Sequence, residues 1–396
     1  AVALASTLRL VADGPSDGGE WRWSALTAMV VTFVAGVGGV LSYSGDWRKH
    51  YALLRDLTTE PWPAVYDLGD TVGVLDYTLG WYLPAAGVGR IAGWPAANIA
   101  LAGWMALGLA LAVWWFVHLV GSNRAIPILL AFSGLDIVGA ALLPRLSPWA
   151  GPTDTTLETW SLEWQLPSVM RSVIEAPQHA LATMLLAGLL LSATLARLPW
   201  SARLAVAAAA AMTSPFAVVA AAPFALVHRA RARRVTMRLH HHIGAVVFSA
   251  TVGLFYATRL AGPPDGVPNE VTSGLVFLSP RFPQVDGRHF LTAFVLVVLL
   301  EIIVVAAVLA RTIAPSDHTS RRLVAISVAT MVGCVTFRVG HNNDLAMRGV
   351  GMAVFVLAVV AARALTASER PRVGIRVRPV RVEERLEMRP ADRAFR

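Results

Sequence analysis

The sequence is poor in charge. Only 15% of its 396 residues are Asp, Glu, Lys or Arg, against about 25% in a soluble domain. That scarcity, with 56% hydrophobic residues and a mean hydropathy of +0.57, excludes an ordinary soluble globular chain. Lysine is almost absent: Lys49 stands alone, and every other basic side chain outside histidine is Arg. The single cysteine, Cys334, excludes an intramolecular disulfide, and its apolar surroundings read as a buried thiol. There is no Walker A sequence, no HExxH, no metal-spaced Cys pair and no nucleophile elbow. Each would need a fixed spacing of phosphate-, zinc- or acyl-handling groups. The chain opens without Met in an apolar run, Ala1 to Ala12, which reads as the end of a helix begun before the sequence given; no signal-peptide n-region is present.

What is present is a series of apolar runs of about 18–20 residues, the length that crosses the hydrocarbon core. The runs are continuous rather than alternating, which points to helices and not a barrel. The expected class is an all-α polytopic helical membrane protein with about ten or eleven transmembrane helices. Spans are predicted at 23–42, 97–119, 126–143, 177–196, 242–260, 289–311, 323–338 and 349–365. The stretch 77–93 is aromatic and interrupted by Pro84 and glycines, so it is predicted as an interfacial or re-entrant helix in the first large outer loop. The run 203–227 is cut at Thr213-Ser214-Pro215 and is predicted as two short helices, 203–212 and 215–227, in a tight hairpin. The transmembrane domain is thus 1–365, followed by a polar Arg-rich tail, 366–396.

The net charge of +9 does not point to nucleic acid, because of where it sits. Residues 370–396 carry nine Arg and four acids, and the loop 228–242 carries five Arg, no acid and three consecutive His. Basic charge in short loops and a tail is the positive-inside pattern. With both placed inside, the loops 43–76, 144–176, 261–288 and 339–348 fall outside, and the first three are net acidic.

Two polar knots fall at the outer lip. The first is Gly45-Asp46-Trp47-Arg48-Lys49-His50, directly after an apolar run. Asp46 is suited to general-base work, and Arg48, Lys49 and His50 to a phosphate. The competing reading is a solvated loop anchoring a helix end. The second knot, Gly340-His341-Asn342-Asn343-Asp344-Leu345-Ala346-Met347-Arg348, suits a sugar or phosphate through its His, two Asn and acid. Alternatively, Asp344 and Arg348 simply pair at i, i+4 behind an Asn cap. Asp136, Glu301 and His179 lie in or at the edge of spans, where ionisable groups face the protein interior. Asp136 is flanked by Gly134 and Gly139, which allow close helix approach. The loop with Asp154, Glu158, Trp160, Glu163 and Trp164 reads equally as a carbohydrate platform or as interfacial Trp. His240-His241-His242 reads as interfacial rather than metal-binding.

The order of these features resembles the GT-C superfamily of membrane glycosyltransferases. An acid follows a span at Gly45-Asp46-Trp47, an aromatic Pro-containing segment closes the loop at 77–93, and a Pro-broken apolar pair follows at 203–227. The chain also resembles a group of bacterial polytopic membrane proteins through Gly45 to His50, Phe132-Ser133-Gly134-Leu135-Asp136, Pro177-Gln178-His179-Ala180 and Asn343 to Arg348. That second likeness supplies no reaction. The GT-C resemblance implies a polyprenyl-phosphate sugar donor, a bacterial cytoplasmic (inner) membrane location and an outward active face. Asp46 would be the catalytic residue, as general base or acceptor-orienting acid. Arg48, Lys49, His50, Asp136, His179, Asn343, Asp344 and Arg348 would bind substrate. No cofactor is evident, and a divalent metal is left open. Membrane lipid is the expected partner, not nucleic acid. The alternative function is a transporter or flippase.

Overall fold

The computed structural model describes residues 18–39, 46–67, 72–75, 78–147, 158, 160–161, 164–192, 194–227, 239–260, 273–276, 286–339 and 343–366. The apolar start, the loop 228–238, most of 261–288, Asp154, Glu163, His341, Asn342 and the tail beyond Thr366 lie outside the described residues.

The described chain is helical, with two small antiparallel ribbons. Among the described residues, four helices are long and apolar enough to cross a membrane: Trp94–Val120, Asn123–Leu146, Gly287–Thr312 and Asp344–Thr366. Two shorter apolar helices, Pro177–Leu191 and Pro215–Leu226, accompany them.

In chain order, α1 (Gly18–Val34) is followed by a turn at Gly36, Gly38 and Gly39. All three glycines have positive φ, a conformation other residues resist, so the span expected to reach residue 42 stops earlier. Next comes α2 (Asp46–Thr59), which buries Trp47, His50, Leu54, Leu57 and Thr58. These positions recur every three or four residues, the spacing of a single apolar stripe. The ribbon of β1 (Val65–Asp67) and β2 (Val72–Val74) follows, with Val65 opposite Val74. Then α3 (Leu79–Ala92) turns through Gly93 into α4 (Trp94–Val120).

The span expected over 126–143 is broken. It divides into α5 (Ile126–Ala131) and α6 (Asp136–Leu146) around the non-helical stretch 132–135. The chain continues through α7 (Val169–Glu175), α8 (Pro177–Leu191) and the short α9 (Thr194–Arg197). Ser214 alone separates α10 (Trp200–Thr213) from α11 (Pro215–Val227). Pro215 starts the second helix because its missing N–H is not needed there. The break redirects the chain: α10 packs on α3 and on α12 (Leu239–Leu260), whereas α11 packs on α8.

A third long apolar helix runs as α13 (Gly287–Leu296), a π-helical segment (Val297–Ile303) and α14 (Val304–Thr312). Then come α15 (His318–Thr336), β4 (Phe337–Val339), α16 (Asp344–Gly349) and α17 (Gly351–Thr366). Strand β4 pairs with β3 (Ser273–Leu275), which fixes the chain just ahead of Asn343.

The core lies where α4, α8 and α17 meet. Trp114, Trp115 and Phe116 of α4 are fully buried, and Phe116 meets Phe355 of α17 edge-on at 5.9 Å. Helices apolar on every side belong in such an interior. Arg363 Nε donates to the Leu119 carbonyl at 2.8 Å, so a cation of α17 satisfies the carboxyl end of α4.

Candidate functional site

Helix α2 is held at both ends. Near its start, the Tyr51 hydroxyl donates to the Gly36 carbonyl and accepts from the Gly39 N–H, both at 2.7 Å. This ties α2 to the glycine turn after α1. At its far end, Trp62 Nε1 and Arg90 Nε donate to the Leu57 carbonyl at 2.7 and 3.0 Å, and Arg90 also reaches the Glu60 carbonyl. Trp47 Nε1 donates to the Ile174 carbonyl at 3.1 Å, docking the helix on α7.

Asp46 stands in the first turn of α2, where the helix dipole favours a carboxylate. Its Oδ1 lies 3.9 Å from Lys49 Nζ, and the two side chains are 54% and 46% exposed. An ion pair this exposed contributes less than about 1 kcal/mol, so the pair is placed by α2 rather than placing it. Arg48 points to the exposed side of the helix.

His50 is fully buried. Its Nδ1 is 2.5 Å from the Tyr82 hydroxyl and its Nε2 is 3.2 Å from the Glu175 carbonyl. A carbonyl only accepts, so Nε2 carries the proton and Nδ1 accepts from Tyr82. Burial pushes its pKa down to about 4, with Lys49 and Arg348 adding to the fall and the Glu175 carbonyl and Asp46 opposing it. The imidazole is therefore neutral at pH 7. It positions α2 against α3 and α7 and is not the phosphate-binding cation the sequence offered.

The remote partners converge on this place. The charges of Arg348 and Lys49 lie within electrostatic range of both His179 and His50, and that of Asp46 within range of His50. His179 follows Pro177 in the first turn of α8, and its Nδ1 meets the Ser214 hydroxyl at 2.8 Å, at the break between α10 and α11. Helix α16 packs on α11, which brings Arg348 to the same region. Arg348 is paired with Asp344 at 3.2 Å, as the i, i+4 spacing implies. Asn343 occupies the cap position with φ of 52°, a left-handed conformation Asn tolerates, but its side chain makes no cap bond.

Asp136 belongs elsewhere. It begins α6, and its Oδ2 accepts from Ser133 Oγ at 2.6 Å. Glu301, in the π-helical segment, lies against Gly134: a β-carbon there would stand 1.4 Å from Glu301 Oε2. A β-carbon on Gly139 would stand 2.4 Å from the Trp160 ring. The two glycines thus admit a carboxyl and an indole to the same place. Trp160 and Trp164 are buried, and Trp164 Nε1 donates to the Val335 carbonyl at 2.8 Å. Both expected roles for these tryptophans, carbohydrate platform and membrane-interface anchor, are corrected: they are interior packing groups.

An open cavity of about 2020 Å³ lies between α1, α5, α6 and α7. Its walls are apolar along Trp23, Leu26, Val30 and Leu130, and its polar groups include Asp136, Glu158, Arg171 and Glu175. Of the site residues expected from sequence, only Asp136 lines it. The α2 knot sits behind its wall, held by the carbonyls of the lining residues Ile174 and Glu175. Glu158, read in the sequence only as part of the acidic and aromatic loop, lines the cavity as well. Its carboxylate accepts from the Ser168 N–H at 2.9 Å and lies 3.9 Å from Arg171, which also binds Glu175 at 2.8 Å. Ser168-Val169-Met170-Arg171 carried a helix-start signal, since Ser168 caps α7, but nothing in the sequence placed it on a cavity. Among the described residues no group of three or more His, Cys, Asp or Glu could hold a metal ion. His242 Nδ1 instead meets Ser201 Oγ at 2.6 Å.

Comparison of the chain with protein-family models, with curated proteins and with solved structures finds no match.

Proposed function

We propose that the protein is a GT-C-like membrane glycosyltransferase, moving a sugar from a polyprenyl-phosphate donor to a hydroxyl acceptor at the outer face of the bacterial cytoplasmic membrane. The observation that supports this reading is that Lys49 and Arg348, from distant segments, lie within electrostatic range of both His50 and His179, with the solvent-reaching carboxylate Asp46 beside Lys49. On this reading α1, α10, α12 and α15 join the four long helices and the two shorter apolar ones, and the apolar start adds one more, to give about ten or eleven transmembrane helices, with the acidic loops outside and the Arg-rich tail inside.

Asp46 takes the proton from the acceptor hydroxyl, whose oxygen attacks the anomeric carbon. The bond from that carbon to the phosphate oxygen breaks, and its electron pair leaves with polyprenyl phosphate. Lys49 and Arg348 offset the growing phosphate charge, with Arg48 at the exposed rim. His179, Asn343 and Asp344 contact the sugar, and His50 holds α2 in register.

The second reading is a transporter or flippase. It is favoured by one observation, the approach of Asp136 and Glu301 inside two membrane-length helices. The deciding experiment places the purified protein in lipid vesicles with a panel of polyprenyl-phosphate sugars. Release of polyprenyl phosphate with sugar transfer supports the enzyme. Flux of a lipid-linked or small polar substrate without bond cleavage replaces it with the transporter.

A further inference from the structure

Two breaks in membrane-length helices meet at one point. The first is the non-helical stretch between α5 and α6, and the second is the π-helical segment that carries Glu301. Helix α6 packs directly on that segment. π-helical turns and interrupted spanning helices both occur disproportionately where a ligand or ion is held.

The side chains at this point are acidic. The charge acting most strongly on Asp136 is that of Glu158, the charges acting most strongly on Glu301 are those of Asp136 and Glu158, and the Asp136 and Glu301 carboxyls lie within hydrogen-bond reach of each other. Basic groups do occur on the elements packed there: Arg145 on α6, Arg288 and His289 on α13, and Arg311 on α14. His318, Arg321 and Arg322 begin α15. None of them is among those strongest influences. Arg145 instead donates to the Ala141 carbonyl, and His289 meets the Ser147 carbonyl.

Glu301 is 4% exposed, and neither of its carboxyl oxygens makes a hydrogen bond of normal geometry, although Asp136 and Trp160 lie within reach. Its carboxyl is aimed at Gly134, beside Ser133 and Asp136. A buried carboxyl left in this condition is costly, and a second one beside it more so. A space of about 10 Å³, no more than one water-sized occupant, is lined by Ser133, Gly134 and Glu301 and otherwise by apolar side chains, while Asp136 lies on the side of the large cavity. The large cavity reaches the other side of the same Ser133-Gly134 stretch, which gives a route in.

We propose that Asp136 and Glu301 hold one small monovalent cation between them, a proton or an alkali ion, where the large cavity and the small space adjoin at Ser133 and Gly134. The site stands on this geometry and does not depend on the transferase reading.

The test is infrared spectroscopy of the full chain in lipid nanodiscs, first in sodium-free choline buffer at neutral pH and then with sodium added. The expected spectrum has a protonated-carboxyl band without sodium. Glu301→Gln removes that band, and Asp136→Asn alters the pH at which it disappears. Bleaching by sodium assigns an alkali ion, and indifference to sodium assigns the proton. Absence of the band together with no spectral response to sodium overturns the proposal. So does a band that Asp136→Asn leaves with an unaltered pH profile, an arm that stands even where Glu301→Gln does not fold.

Discussion

The imidazole of His50 accepts from the Tyr82 hydroxyl across 2.5 Å while its other nitrogen faces the Glu175 carbonyl. One buried ring therefore joins α2, α3 and the end of α7. Because its folded pKa is lowered from 6.5 to about 4, the unfolded chain binds the extra proton first as pH falls. Stability from this group is fully present above pH 6.5 and is lost as pH drops toward about 4. The loss amounts to about 3 kcal/mol. The check is thermal unfolding across that pH range for the wild type and for His50→Gln. The variant should be less stable at pH 7 but should show a flatter acid limb. Histidine NMR should find the His50 ring neutral at pH 5.5; a protonated ring there contradicts this account.

Gly134→Ala puts a methyl group into the space of the Glu301 carboxyl. The expected cost is about 1–3 kcal/mol, the usual penalty for overpacking an interior. Gly253→Ala is the control, because a β-carbon there meets nothing within 4 Å in the middle of α12. It should leave stability unchanged or raise it by up to about 1 kcal/mol. Equal effects from the two substitutions would show that Glu301 does not occupy this position.

Trp47→Phe keeps the aromatic packing but strands the buried Ile174 carbonyl. A loss of about 1–3 kcal/mol is expected. Hydrogen exchange should localise the opening to α2 and α7 and leave α4 and α17 protected. Uniform loss of protection would mean that Trp47 supports the whole fold rather than the docking of α2.

Much of this arrangement was legible in the residues. Pro215 announced the break between α10 and α11, and the Asp344–Arg348 spacing announced their pair. Gly134 and Gly139 announced close approach, though not what approaches. The break at 132–135 was not legible. Ser133-Gly134 is compatible with a continuous helix, and its interruption accompanies the entry of Glu301 from a segment some 165 residues away, a tertiary effect beyond any periodicity. The burial of Trp160 and Trp164 was hidden for a similar reason. Tryptophan suits an interface and an interior alike, and its partners here, Gly139 and the Val335 carbonyl, lie on other helices. The role of His50 was misread because its neighbours in sequence are cations, whereas its hydrogen bonds come from Tyr82 and Glu175.

The central claim is that Asp46 acts as the base in sugar transfer. Its side chain is more than half exposed, so Asp46→Asn should leave the thermal midpoint unchanged. Transfer from a polyprenyl-phosphate sugar by the reconstituted variant should fall by about 100-fold or more. Transfer at the wild-type rate would contradict the claim.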